Sequence, residues 1–412
     1  MKGRMRPAAR LASTVGVLLL AACGDGPTGP ADPITELPRA LSSSEVEVIG
    51  ASNAFAIDLL SRVHAAAPDS TVFLSPLSAS YALGMTMNGA AGATRSQMHE
   101  MLGFGGLTEP EVNTAYRDLT ALLSSLDPSV ELGLANAAFH REDFALESAF
   151  VDRLEDFFDA RVEGLDFSDP ASAETMNAWV RAQTNDRIEK IIDPPLDAGL
   201  VLLLMNAVWF KGDWTVAFDP EESYDGPFTR ADGGSESVRF MTREDTLATR
   251  SSPRWQAVEL PYGGGAWTLV AAVPRAGSDL SDLVDDLPAL LDPEAAWDAS
   301  LMTVHLPRFE LDWERTLNDD LEALGMVDAF DPGEADFTRI TPGGGIWVDY
   351  VKQKTFLKID EIGTEAAAVT AVALTDSARP ELRADRPFFL AIRERLTGTV
   401  LFAGLIVEPP VP

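Results

Sequence analysis

The sequence predicts an α+β domain, and three observations point there. Helical periodicities dominate the first half of the 412-residue chain, and strand-like apolar runs dominate the second. After about Ser43 no linker-like stretch and no internal repeat divides the chain. Sheets covered by helices follow from such a pattern. Length alone allows two or three domains, but with 46% hydrophobic residues one large core is possible.

The elements read as follows. Ile49, Asn53, Ala56, Leu59, Leu60 and Val63 share one face of a helix expected over 45–64. Thr71 to Leu74 reads as a short strand. Ser75 and Pro76 then start a helix as cap and first helical residue, and Gly89 ends it. Thr94 with Gln97 reads as a capping box for the next helix, stopped by Gly103. The run from Val201 to Phe210 suits a strand buried on both faces. Strands at 257–260 and 267–273 flank a turn at Pro261-Tyr262-Gly263, and another strand covers 304–309. Strands at 388–393 and 399–407, split by Thr397-Gly398, form a C-terminal hairpin.

The N-terminus reads as a leader. Lys2, Arg4, Arg6 and Arg10 precede an apolar stretch from Leu11 to Ala22, too short to span a bilayer as a helix. It ends in Leu20-Ala21-Ala22-Cys23, which matches the lipobox of bacterial lipoproteins, so residues 1–22 are expected to be a signal peptide and Cys23 the lipidated residue. A plain secretory signal or an incidental free thiol are the alternatives. Cys23 is the only cysteine, so no intramolecular disulfide forms. A Gly-, Pro- and Asp-rich run follows, and 23–42 reads as a flexible tether before a domain at 43–412. Residue 24 is Gly rather than Asp, which favours the outer membrane of a bacterial envelope.

A net charge of -32 argues against nucleic acid as a partner. An enzyme reading has little support. His64, His99, His140 and His305 are scattered without metal-ligand spacing, and no nucleophile elbow or phosphate loop appears. No metal or other cofactor is expected.

A set of ordered segments resembles the serpin family over about 45–410. They are Val72-Phe73-Leu74-Ser75-Pro76-Leu77-Ser78, Asn88-Gly89-Ala90, Leu102-Gly103-Phe104, Asn177-Ala178-Trp179-Val180 and Gln183-Thr184-Asn185. Next come Asn206-Ala207-Val208-Trp209-Phe210-Lys211-Gly212-Asp213-Trp214, Glu259-Leu260-Pro261-Tyr262 and Leu306-Pro307-Arg308-Phe309. Leu324-Gly325-Met326, Ala335-Asp336-Phe337, Asp385-Arg386-Pro387-Phe388 and Phe402-Ala403-Gly404 complete the set. The resemblance implies a serpin fold: one domain of three β-sheets and eight or nine helices, with an exposed reactive-centre loop at about 361–386.

The segment Glu361-Ile362-Gly363-Thr364-Glu365-Ala366-Ala367-Ala368-Val369-Thr370 resembles the hinge of that loop. As a strand it would alternate faces. Thr364, Ala366, Ala368, Thr370, Val372 and Leu374 are uncharged, and the other face carries the single charge of Glu365. The first face can therefore be buried while Glu365 stays in solvent. Twelve such residues span roughly 40 Å at about 3.3 Å each. An Ala-rich helix capped by Thr364 is the competing reading, opposed by β-branched Val369, Thr370 and Val372.

The resemblance implies a secreted suicide inhibitor of a serine protease or, as the alternative target, a cysteine protease. The cleaved loop would insert into the main sheet, as in strand-addition systems generally. A non-inhibitory binding module or chaperone is the alternative function. Family spacing places the scissile bond at Ser377–Ala378, and counting back from Arg386 places it at Asp376–Ser377. Small residues there suit an elastase-like or subtilisin-like target, Leu374 a chymotrypsin-like one, and Arg379 a trypsin-like one. A monomer is expected. The resemblance also implies a sheet gate of Ser75, Ser78, Asn206 and Trp214, with Asn206 bonding the two serines. Gln353 stands where most serpins carry histidine, and an amide does not titrate near neutrality.

Overall fold

A computed structural model describes residues 33–363 and 380–410. In chain order the elements begin with α1 (Ser43–Ala66), β1 (Val72–Leu74), α2 (Pro76–Gly89), α3 (Gly92–Met101), α4 (Glu109–Ser125), β2 (Val130–Arg141), α5 (Ser148–Phe158), β3 (Arg161–Leu165), α6 (Pro170–Gln183) and β4 (Leu202–Gly212). Then follow β5 (Tyr224–Thr229), β6 (Ser235–Ser251), β7 (Trp255–Tyr262), β8 (Trp267–Pro274), α7 (Leu280–Asp285), α8 (Leu287–Leu290), β9 (Asp298–Pro307) and β10 (Phe309–Thr316). The chain closes with α9 (Asn318–Ala323), β11 (Lys352–Ile359), β12 (Glu381–Arg383), β13 (Phe388–Glu394) and β14 (Val400–Ile406).

Three sheets form among the described residues. The largest runs β1-β14-β13-β8-β7-β6-β9-β12, with β5 on β6. Its centre is dry: every residue of β8, β13 and β14 is buried, as expected of strands covered on both faces. The other two are β3-β2-β4 and the pair β10-β11. Strand β11 alternates, with Gln353, Thr355, Leu357 and Ile359 buried and their neighbours half-exposed, the period-two signature of a strand with one face on the core.

Several local expectations change. Ser75 precedes α2 but makes no side-chain cap; its hydroxyl donates to the Leu401 carbonyl instead (2.9 Å). Thr94 and Gln97 lie inside α3, not at its start. Their oxygens accept from Asp336 N and from Val327 N and Asp328 N, so they fasten the 327–336 segment. Strand β4 is only half covered, its burial alternating over Leu202–Ala207. Part of the expected tether is docked rather than free. Ile34 N donates to Gly264 O (2.8 Å), Arg395 donates to Ile34 O (2.9 Å), and Ile34, Leu37 and Leu41 pack on the core. Three apolar side chains within eight residues explain the docking.

Candidate functional site

No ladder joins β4 to β11, although the two strands face each other. Between Leu202–Ala207 of β4 and Val351–Lys354 lies a cavity of about 430 Å³. Ser78, Ala82 and Thr86 of α2 contribute to its lining, as do Ile188, Ile191 and Ile192 after α6. A smaller space continues it between Val208–Lys211 and Phe356–Lys358. Residue numbers rise together on the two sides, so β4 and β11 run the same way. A strand returning between them would lie antiparallel to both, and among the described residues no ladder fills that place. Strand β4 has 11 residues, roughly 36 Å at about 3.3 Å per residue.

The chain reverses just beyond β11. Gly363 bridges Asp213 and Asp360 and sits at φ +120°. A Cβ there would lie 2.5 Å from Gly212 O and 2.6 Å from Asp213 Cα and Trp214 N. Both the conformation and the space therefore demand glycine. Preceding backbone is pinned as well: Trp214 N donates to Ile362 O (2.9 Å) and Phe218 N to Glu361 O (2.7 Å). The Trp214 indole stacks on Tyr262 with centroids 4.3 Å apart and donates Nε1–H to Asp360 O (2.9 Å). Burial, then the Asp360 charge, pushes the Tyr262 hydroxyl well above its usual range, so this clamp stays neutral. Glu361 is buried, accepting from Ser223 Oγ (2.9 Å) and lying 3.3 Å from the half-exposed Arg308.

Lower in the cleft, Gln353 makes a two-point contact with Ser75. Its Oε1 accepts from Ser75 N (3.1 Å) and its Nε2 donates to Ser75 O (2.7 Å). Thr355 Oγ1 donates to Phe73 O (2.6 Å). The amide thus offers both a donor and an acceptor, matching the backbone at the start of α2. Asn206 does not bond Ser75 or Ser78. The β2–β4 register sets it opposite Asn136, and it donates to Asn136 Oδ1 (2.7 Å), while Asn136 donates to Phe158 O (2.7 Å). Ser75 is meanwhile occupied by Gln353 and Leu401. Asn206 Oδ1, buried at the cleft, has no hydrogen-bond partner.

The structure therefore brings together Ser75 and Gln353, and Trp214 with Glu361 and Gly363. Ser78 and Asn206 both line the cavity, but Asn206 bonds Asn136 instead. Sequence reasoning missed Asn136, Thr355, Ser223 and Arg308, whose roles arise from register and long-range contacts. Cys23, Thr364, Glu365, Ala366, Ala367, Ala368, Val369, Thr370, Ser377 and Ala378 lie outside the described residues, as do Leu374, Asp376 and Arg379. Chain re-enters at Pro380, whose carbonyl accepts from Thr303 N (3.1 Å), and β12 pairs in parallel with β9. Among the described residues no group of side chains could hold a metal, and no helix is long and apolar enough to cross a membrane.

A split sheet with a hinge above the split is an architecture able to take up an added strand. The family model described as Serpin (serine protease inhibitor) matches residues 50–409. Iripin-5 of Ixodes ricinus is 34% identical over 374 residues, covering 88% of this chain and 95% of that protein. Human neuroserpin is 30% identical over 370 residues, covering 86% and 90%. The native-state crystal structure of tengpin, a thermophilic serpin, superposes with a TM-score of 0.80 at 28% identity, covering 92% of this chain and 97% of that one. The chain belongs to the serpin family.

Proposed function

We propose that this chain is an exported, lipid-anchored suicide inhibitor of serine proteases, held at a bacterial cell envelope through Cys23. The observation that carries the inhibitory reading is the cleft. Among the described residues no ladder joins the two strands that run the same way, an apolar cavity separates them, and the hinge reverses direction beside their ends at Gly363. A target protease attacks the loop, with Ser377–Ala378 as the bond cut and an elastase-like or subtilisin-like enzyme as the favoured target. Cleavage frees the segment after Gly363, which enters the cleft as a strand. Thr364, Ala366, Ala368 and Thr370 face the core and Glu365 faces solvent. New ladders on both edges, and cover for half-exposed cavity-lining groups such as Leu202 and Leu204, drive the step. The acyl-linked protease is carried along before hydrolysis, and the inhibitor is consumed.

Fold alone does not choose between inhibitor and binding module, since human thyroxine-binding globulin superposes at a TM-score of 0.78 with 25% identity. The uncharged hinge face makes the choice. Mixing the protein with a panel of serine proteases tests it. The expected result is a complex that survives boiling in SDS, with a released C-terminal peptide whose mass fixes the scissile bond. Loop cleavage without any covalent complex across the panel would sink the inhibitory reading. Thr364→Arg places a charge on the buried face and is expected to convert the inhibitor into a substrate. Labelling with a radioactive fatty acid, abolished by Cys23→Ser, tests the anchor.

A further inference from the structure

Strand β12 ties the distal end of the loop to the body with only three residues. At its centre a histidine and an arginine meet. His305 on β9 stands opposite Arg383, and the ring is buried. Arg383 Nη2 lies 3.2 Å from His305 Nε2, and Arg383 Nη1 donates to Tyr224 OH (2.5 Å). His305 Nδ1 lies 3.0 Å from the same hydroxyl. A guanidinium has no acceptor, so Nε2 must accept from it. The ring proton therefore sits on Nδ1 and is donated to Tyr224. This closed triangle exists only for neutral imidazole.

We propose that His305, Arg383 and Tyr224 form a proton-operated latch on β12 that opens on acidification and frees the distal end of the loop. A second proton would fall on Nε2, facing two donors and two positive charges against each other. The nearest acceptor is Glu381 Oε2 at 3.4 Å, which already accepts from Arg383 Nη2 at 3.0 Å. Protonated His305 thus loses Arg383 and competes with it for Glu381. The other groups about the ring are Asp385 beyond β12 and, on β6, Thr242 opposite His305 and Glu244 two pairs further along, with Arg243 between them. Glu381, Asp385 and the His305–Glu381 contact favour the charged ring, yet burial first and Arg383 second outweigh them, and the ring titrates below its ordinary value. The sign follows. A histidine with a depressed folded-state value stabilises the latched form fully above about 6.5, and that stability is lost as pH falls through the folded value.

The latch is independent of inhibition in its first test and rests on the inhibitory reading only in its second. Hydrogen exchange of the Arg383 and Ala384 amides in the intact protein, corrected for intrinsic rates, is followed from pH 7.5 to 5. Loss of protection is expected in the native protein and absent in His305→Gln, which keeps a polar partner without titrating, and in Arg383→Gln, which removes the repelling cation. The same pH response in all three would overturn the latch. If His305→Gln fails to fold, Arg383→Gln alone decides. In the second test, protein held at pH 5 and returned to pH 7.5 is titrated against protease. Irreversible loss of capacity in the native protein alone is expected. Protein inactive before acid treatment would instead count against inhibition, leaving the exchange result to judge the latch.

Discussion

The two ends of the reactive-centre loop are held by different means. At the proximal end, Asp360 to Gly363 are pinned through backbone atoms to Trp214 and Phe218, and the chain turns on one glycine. At the distal end, a three-residue parallel strand leans on a histidine–arginine–tyrosine triangle. Backbone bonds and a permanently neutral indole do not respond to pH. The contrast teaches how one loop can have a built-in hinge on one side and an anchor on the other. On the proposed inhibitory reading, the hinge stays folded until cleavage and then rotates at Gly363. On the same reading, the anchor holds the distal end while the hinge moves.

The sharpest way to break the comparison is Gly363→Val. A β-branched residue would meet three backbone atoms at 2.5–2.6 Å, none of them able to swing aside, at a φ that L-residues avoid. We expect a loss of roughly 3 kcal/mol, the upper range for stored backbone strain, read as a lowered denaturation midpoint. An unchanged midpoint would mean that the proximal end is not the rigid one.

Gln353→Ala should come next. It removes the acceptor of Ser75 N and one of two donors to Ser75 O, which keeps Ala79 N (3.1 Å), in a buried site, and about 2 kcal/mol is expected for leaving the N–H unsatisfied. Because Gln353 does not titrate, the native gate contributes no pH dependence near neutrality. Gln353→His is expected to create one, measurable as stability against pH. Trp214→Phe keeps an aromatic ring on Tyr262 but loses the bond from Nε1 to Asp360 O. About 1 kcal/mol is expected, with hydrogen exchange around 360–363 rising and that around 381–384 unchanged. A rise at both ends would show the two to be coupled.

Much of this was legible in the sequence, and the failures are instructive. Helix α1, the α2 start at Pro76 and the hairpin β13–β14 follow from periodicity and turn residues, because each buries a face set by its own local pattern. Strand β6 was not visible: its 17 residues include Glu236, Glu244 and Asp245 and carry no simple alternation, since it pairs with β5, β7 and β9 along different parts of its length. At the gate, Ser75 and Gln353 could be named, but not their direct bond across 278 residues. Asn206 was misassigned because its partner is fixed by strand register, which sequence spacing does not encode. In the hinge, Gly363 could be named as part of the motif, but neither its positive φ nor the three backbone atoms that demand glycine there.

The smallest expected effect concerns the ion pair of Glu361, which with Asp360 is one of two buried carboxylates at the proximal end. Its carboxylate has a neutral partner in Ser223 and a charged one in Arg308, whose side chain is 45% exposed. If the hinge depended on that ion pair, the proximal end would be as sensitive to its electrostatic surroundings as the distal one. Exposure argues otherwise: water screens Arg308, and pairs of this kind are worth about 0.2–1 kcal/mol. Arg308→Ala should therefore cost about 0.5 kcal/mol and lose even that in high salt. Ser223→Ala, which removes a buried hydrogen bond to the same carboxylate, should cost about 1.5 kcal/mol at any salt concentration. Chemical denaturation of both variants at low and high ionic strength decides. A larger and salt-sensitive loss for Arg308→Ala would show that electrostatics, rather than backbone geometry, holds the hinge closed.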